Sequence, residues 1–283
     1  MGSRVKLQSQ NSALLIGYGY VAQRLAQALL AQGYHVIATY RDTAPTDTNI
    51  TFVKFGSAVM REAFQVADLV VTSVPPGPDG DPALVALKGL ATQAQWIGYL
   101  SATSVYGDRG GQWAFEEEPP TPSLKRGKAR ADAELSWIET AWPVHIFRLA
   151  GIYGPGRAPF ERLRQGKARA VIKPGHVVNR IHVDDIVSVL LASIAAPNPL
   201  RIYNVADGNP APPQDVLDHA AEMINAPAPL RIDADHPALS PMAKSFYAET
   251  KRIDASRARQ ELGWTPQYPT YQEGLRAVLK SQK

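Results

Sequence analysis

Near its start the 283-residue chain carries Gly17-Tyr18-Gly19-Tyr20-Val21-Ala22, a G-x-G-x-x-A element. An apolar run at 13–16 precedes it, and Val21, Leu25, Ala28 and Leu29 recur behind it at helical spacing. The first glycine allows a tight turn, the second lets the backbone approach a pyrophosphate, and the small Ala22 permits close packing of helix and strand. The helix N-terminus adds partial positive charge. Between strand and helix, the element predicts dinucleotide binding through Gly17, Tyr18, Gly19, Tyr20 and Val21. The bland alternative is an ordinary tight turn. An acidic residue at the end of the second strand would bond a ribose 2′-hydroxyl, whereas an arginine accommodates a 2′-phosphate. The run 35–40 ends in Arg41, which favours NADP(H) over NAD(H). Asp42 follows at once, and a plain surface Arg–Asp turn stays open beside that reading.

Such a turn needs a frame. Short β-rich runs at 35–40, 50–55, 69–74 and 96–101 alternate with helical patterns, one of them over about 82–93 behind the proline-rich 75–78. Strand and helix in this rhythm imply an α/β fold with a doubly wound parallel sheet, a Rossmann arrangement, over 12–150. Gly33 is placed to stop the first helix. From Gly151 the rhythm loosens into short strands (171–172, 201–205), helices (185–195, 213–224) and proline-rich connections. This predicts a smaller C-terminal α/β lobe over 151–283, on the substrate side and interleaved with the sheet.

Composition narrows the classes. Apolar residues make up 45% and charged residues 20%, the balance of a chain that buries a core. Lys and Arg number 30 against 26 acidic residues, and +4 is too mild to argue for nucleic acid. Cysteine is absent, which removes disulfides, thiolate metal sites and a cysteine nucleophile together. Six scattered histidines show no metal-ligand spacing, so no metal is expected. The apolar stretch 186–196 is too short for a bilayer, which takes about 20 residues. The polar start 1–11 does not look like a leader, and Met1-Gly2-Ser3 reads as a cloning remnant. The expectation is a cytoplasmic protein with a small-molecule substrate, without nucleic acid or membrane partners, and with a homodimer left open.

Further motifs follow in order: Ser101-Ala102-Thr103-Ser104-Val105-Tyr106-Gly107-Asp108, Arg148-Leu149-Ala150-Gly151-Ile152-Tyr153-Gly154-Pro155-Gly156, Arg180-Ile181-His182-Val183-Asp184-Asp185-Ile186, Tyr203-Asn204-Val205 and Glu261-Leu262-Gly263-Trp264. On these the chain resembles the extended short-chain dehydrogenase/reductases, the NAD(P)-dependent epimerase/dehydratase group, over nearly its whole length. The resemblance implies a nicotinamide cofactor; Ser73 and Ile152 join the expected cofactor contacts. It also implies a Ser or Thr three residues before the Val of "VYG" and a Tyr-x-x-x-Lys on the next helix. Those positions hold Ala102, Arg126 and Arg130, so the chain resembles the atypical subgroup that lacks the usual catalytic side chains. Arginine stays protonated and cannot shuttle protons as a tyrosine does. At i and i+4, however, Arg126 and Arg130 share a helix face that can grip a phosphate or carboxylate. A solvated basic helix is the alternative.

Thr103, Tyr106, Arg126 and Arg130 are thus the candidate catalytic residues, with Ser101 and Tyr153 as further hydroxyls and Tyr106 more readily read as a packed aromatic at the strand end. Where family members that bind nucleotide sugars carry an arginine, three residues before the Ile of "IHV", this chain has Val178, which counts against such a substrate unless Asn179-Arg180 substitutes. Six basic residues between Arg157 and Lys173, against Glu161 alone, suggest an anionic ligand or merely a wet helix face. Asp184-Asp185 reads as a helix N-cap. The expected function is an NADP(H)-dependent oxidoreductase or epimerase/dehydratase acting on a small, anionic carbonyl or hydroxyl compound. Its rivals are a non-catalytic NADP(H)-binding sensor or scaffold, and an isomerase or lyase without a redox step.

Overall fold

The computed structural model describes residues 11–282. The readings of the first ten residues lie outside the described residues. Residues 13–16 have no polar side chain to leave in water, and they form the buried body of β1 (Ser12–Ile16). Then come α1 (Tyr20–Ala31), β2 (His35–Tyr40), β3 (Thr51–Lys54), α2 (Ala58–Val66), β4 (Leu69–Thr72), α3 (Pro82–Leu87) and β5 (Trp96–Ala102). A 3-10 turn (Thr103–Tyr106) leads to β6 (Trp113–Ala114), α4 (Lys125–Ile138), β7 (Val144–Leu149), β8 (Gly151–Tyr153), α5 (Phe160–Arg164), β9 (Arg169–Ile172) and β10 (Arg180–His182). The remainder is α6 (Val183–Ala195), β11 (Ile202–Val205), α7 (Pro213–Met223), β12 (Leu230–Asp233), α8 (Pro241–Phe246), β13 (Arg252–Ile253), α9 (Ser256–Leu262) and α10 (Tyr271–Lys280).

One seven-stranded parallel sheet, in the order β11-β7-β5-β4-β1-β2-β3, carries flanking helices in a Rossmann-type fold. β1 pairs with β2 on one side and β4 on the other, Ala13 lying opposite both Val36 and Leu69. The strand order therefore reverses beside β1, and the turn that leaves its C-terminal end stands at the switch point where ligands of such sheets bind.

The described residues divide into two compact units. One comprises the chain up to Leu100 with Asp132–Ile146 and Pro197–Arg201; the other comprises Ser101–Ala131, Phe147–Ala196 and the chain from Ile202. The division falls within β5, α4 and β7 and between α6 and β11, so each unit draws on segments from several parts of the chain.

In the first unit, α1 buries Val21, Ala22, Leu25, Ala26 and Leu29, one apolar face at helical spacing. Gly33 ends it at φ 82°, and the amide of Tyr34 donates to the Leu29 carbonyl at 3.0 Å. Trp137 stacks on Tyr99 at 5.7 Å and meets Trp142 at 5.9 Å, and Phe64 closes the cluster on Trp142 at 4.8 Å. The helix expected over 82–93 stops at Leu87, because Lys88 turns extended and Gly89 takes φ 75°.

In the second unit, β8 pairs with β10, β9 with β12 and β6 with β13, each pair parallel. Tyr153, Phe160, Leu163, Ala220, Leu275 and Val278 form an apolar core there. A Cβ on Gly274 would lie within 2 Å of the Tyr153 hydroxyl, so the α10 backbone rests directly on that ring. The expected capping by Asp184-Asp185 is corrected. His182 is the N-cap of α6, its Nδ1 accepting from the Asp184 amide at 3.2 Å. The buried Asp185 instead receives the amides of Gln267 and Tyr268, at 2.6 and 3.1 Å.

Asp81 joins local and tertiary structure in the first unit. Its Oδ1 accepts from the Ala83 and Leu84 amides at 2.8 and 3.2 Å, and Pro82 opens α3 behind it. Its Oδ2 accepts from the Trp137 indole at 3.2 Å. Replacing Asp81 with Ala uncaps α3 and strands a buried indole N–H, for an expected loss of about 2–3 kcal/mol in urea unfolding. A loss below about 0.5 kcal/mol, the scale of an ordinary surface change, contradicts that assignment.

Candidate functional site

The first unit presents a cavity of about 660 Å³ at the β1 exit, bordered by Gly17, Tyr18 and Gly19, by residues 39–43 at the end of β2, and by Ser73. Gly17 sits at φ 94°, and a Cβ there would come within 2.8 Å of Ser73 Oγ. Only glycine meets both demands. The Gly17 amide donates to Thr39 Oγ1 at 2.8 Å, and Ser73 Oγ donates to the Gly17 carbonyl at 3.4 Å. Ser73 therefore fixes the turn as well as bordering the cavity.

Gly19 is the N-cap of α1, and no side chain caps that helix end. A Cβ on Gly19 would meet nothing within 4 Å, so the space beside this helix end is open. An uncapped twelve-residue helix with an open approach is the donor set a pyrophosphate needs. Arg41 lies at the cavity's edge, its Nε donating to Asp42 Oδ2 at 3.1 Å, both side chains largely in water. An exposed pair of this kind is worth about 0–1 kcal/mol and does not lock the guanidinium away from a ligand. Tyr18 borders the cavity with its ring edge-on to Phe52 at 5.0 Å. Tyr20 begins α1 half-buried, and Val21 points into the core. Ile152 belongs to the second unit, in β8, paired with Ile181 of β10.

The second unit holds its own cavity of about 350 Å³. Thr103, Arg126 and Arg130 all border it, with Ala102, His176, Asn179, Glu249 and Lys251. α4 approaches the 3-10 turn closely because Gly127 has no side chain: a Cβ there would stand 2.5 Å from the Ser104 carbonyl oxygen. Gly127 stands in the first turn of α4, where glycine is a poorer helix former than alanine, and close backbone approach is its structural return. Arg126 donates to Ser245 Oγ at 2.6 Å and to the Ser245 carbonyl at 3.3 Å, with its guanidinium 4.5 Å from the Phe246 ring centre. α8 thus holds Arg126 in place. Lys251 Nζ donates to Glu249 Oε2 at 2.9 Å, and Ser123 donates to the other carboxylate oxygen. That lysine charge is thus matched by Glu249, whereas Arg126 and Arg130 add two further guanidinium groups to the cavity's border.

Tyr106 is not in this group. It is fully buried, and its hydroxyl donates to Asn204 Oδ1 at 2.8 Å while accepting from Arg148 at 2.8 Å. Burial raises its pKa against the pull of Arg148. With both capacities used, the hydroxyl has none left for a substrate, and the acid/base expectation for Tyr106 is corrected accordingly. Tyr153 is corrected on a different ground: it is buried under α10, where its hydroxyl has no hydrogen-bond partner among the described residues and burial raises its pKa. Of the basic run from Arg157 to Lys173, Arg157, Arg162, Arg164, Lys167 and Arg169 are exposed and Lys173 donates to the Tyr247 carbonyl at 2.5 Å. His176, Glu249 and Lys251 were not singled out by sequence, since no motif or spacing marks them, whereas Asn179 stood beside the Val178 position.

The seven-stranded sheet and the turn after β1 resemble those of the epimerase/dehydratase-like short-chain dehydrogenases/reductases. A solved structure of a functionally unknown conserved protein from Silicibacter pomeroyi DSS is 42% identical, covers 96% of this chain and 99% of its own, and superposes with a TM-score of 0.91. The chain belongs to one family with that protein. Protein YeeZ of Escherichia coli strain K12 is 29% identical over 279 residues, 90% of this chain and 95% of its own. A Methylobacillus flagellatus structure described as an NAD-dependent epimerase/dehydratase is 25% identical over 97% of this chain and 99% of its own, with a TM-score of 0.73. No family model matches the chain.

Gly127→Ala forces a methyl group against the Ser104 carbonyl, so α4 or the 3-10 turn must shift. The expected result is a loss of about 1–3 kcal/mol in stability together with weaker anion binding at the cavity. The usual stabilisation of a helix by Gly→Ala, about 1 kcal/mol, would show that the approach is not close.

Proposed function

We propose that the chain binds NADP(H) at the β1–α1 turn and acts as an oxidoreductase or epimerase/dehydratase on a small anionic carbonyl or hydroxyl compound held in the second unit's cavity. The observation that carries the dinucleotide part is the open, side-chain-free N-terminus of α1 beneath Gly19. Gly17, Gly19 and the first-turn amides would receive the pyrophosphate, Tyr18 and Tyr20 would flank it, and Ser73 would keep the turn in shape. Arg41 would pair with a 2′-phosphate after leaving Asp42. When bound, the nicotinamide supplies hydride chemistry. Arg126 and Arg130 would anchor the substrate's anionic group, and Thr103 lies on the same cavity as a hydroxyl donor.

One observation favours a second reading, a non-catalytic NADP(H)-binding sensor. The hydroxyl of Tyr106 is committed to the fold, and no tyrosine–lysine pair stands on α4. Turnover separates the two: nicotinamide absorbance is followed while the full chain is offered small hydroxy and oxo acids. Oxidation or reduction supports the enzyme; tight binding without turnover across a broad panel supports the sensor.

Arg41→Ala tests the cofactor choice. Loss of a charge-assisted contact to the 2′-phosphate is expected to weaken NADPH about tenfold or more, with NADH changed by less than about twofold, in fluorescence titrations. An unchanged NADPH affinity removes the preference for NADP(H).

A further inference from the structure

His176 has no part in the roles assigned so far, and its surroundings are incomplete. It is 2% exposed, and among the described residues neither Nδ1 nor Nε2 has a hydrogen-bond partner. Leaving a buried polar group without a partner is unfavourable, so a site that keeps one calls for an explanation. His176 is one of the residues that line the cavity bordered by Arg126 and Arg130. Its place is fixed from both sides. The His176 amide donates to the Lys173 carbonyl at 3.1 Å across a turn with Gly175 at φ 73°, and the ring leans on Tyr247 with centroids 5.3 Å apart.

The charges around the ring set its protonation state. Burial lowers the His176 pKa, and Lys173, Arg180 and Lys251 lower it further against the opposing pull of Asp108. At neutral pH the imidazole is uncharged, with one nitrogen donating and the other accepting. That pair of capacities suits an alcohol or a carbonyl oxygen. A carboxylate, like a carbonyl oxygen, would use the donor alone, and the two arginines match its charge far better. The cavity therefore offers two unlike kinds of recognition, and its 350 Å³ is at the small end of ligand pockets. A hydroxy or oxo acid of about six carbons fits both demands.

We propose that Arg126 and Arg130 hold the carboxylate of a small hydroxy or oxo acid in this cavity, while His176 hydrogen-bonds a hydroxyl or carbonyl oxygen of the same molecule. This rests on the reading that the cavity takes an anion, and it adds the residue that reads the second polar group. Three probes of similar length separate the parts: gluconate has both groups, hexanoate only the carboxylate, and sorbitol only the hydroxyls. In calorimetric titrations of the full chain at neutral pH, gluconate is expected to bind most tightly, then hexanoate, with sorbitol weakest. His176→Phe, which keeps a ring and removes both nitrogens, should weaken gluconate about tenfold and leave hexanoate within about twofold. His176→Asn, which retains a donor and an acceptor, should recover part of the loss.

Gluconate affinity unchanged in His176→Phe overturns the proposal and leaves the anion cavity standing. If neither acid binds at millimolar concentration while NADPH still does, the anion reading of the cavity fails and the proposal with it. Should His176→Phe lose hexanoate too and prove unfolded, nitrogen NMR of the wild-type histidine ring decides. A shift of the His176 ring nitrogens with gluconate but not hexanoate supports the contact, and no shift with gluconate overturns it.

Discussion

The hydroxyl of Tyr106, held between Asn204 and Arg148, is the contact around which the second unit is arranged. It joins three chain segments that the sequence keeps far apart: the exit of β5, the end of β7 and the middle of β11. Asn204 extends the network, its amide donating to Glu116 at 2.8 Å and its side-chain nitrogen to the Asp254 carbonyl at 2.9 Å. A buried guanidinium and a buried carboxylate are costly unless every partner is present. Here the partners are present, and the guanidinium also lies 4.8 Å from the Tyr106 ring centre. Such a network specifies one arrangement of strands more sharply than apolar packing alone.

That commitment shapes the rest of the site. With Tyr106 turned into the interior, the residues on the cavity side of the same turn are Ala102, Thr103 and Ser104. Gly127 lets α4 close against them, which brings Arg126 and Arg130 to the cavity's edge, and α8 steadies Arg126 from the far side. The chemistry available there is recognition of charge and of hydrogen-bonding oxygen. The first unit is organised on a different constraint, the left-handed Gly17 pressed against Ser73, which aims an uncapped helix end at open space.

Local signals were legible in the sequence where local physics decides. Residues 13–16, 35–40 and 96–101 read as strands because they are β-rich and apolar enough to be buried in a parallel sheet, and Gly17 and Gly19 read as a ligand turn because few other uses need both. The end of α3 was misplaced because nothing apolar changes at Lys88; only the backbone there does. Asp185 looked like a cap because its partners, the amides of Gln267 and Tyr268, arrive from more than eighty residues away. Tyr106 and Tyr153 looked equally available as hydroxyls for the same reason: the side chains and helix that enclose them come from distant segments. His176 gave no signal at all, since a lone histidine becomes notable only once burial has removed its water and left both nitrogens unmatched.

Tyr106→Phe measures most directly whether that tyrosine belongs to the fold and not to the chemistry. The variant removes one oxygen and strands both Asn204 Oδ1 and an Arg148 N–H in the interior. Urea unfolding and NADPH titration are to be run on the same preparation. The expected result is a stability loss of about 1–3 kcal/mol with NADPH affinity unchanged. Unaltered stability with weakened NADPH binding would contradict it and return the Tyr106 hydroxyl to the site.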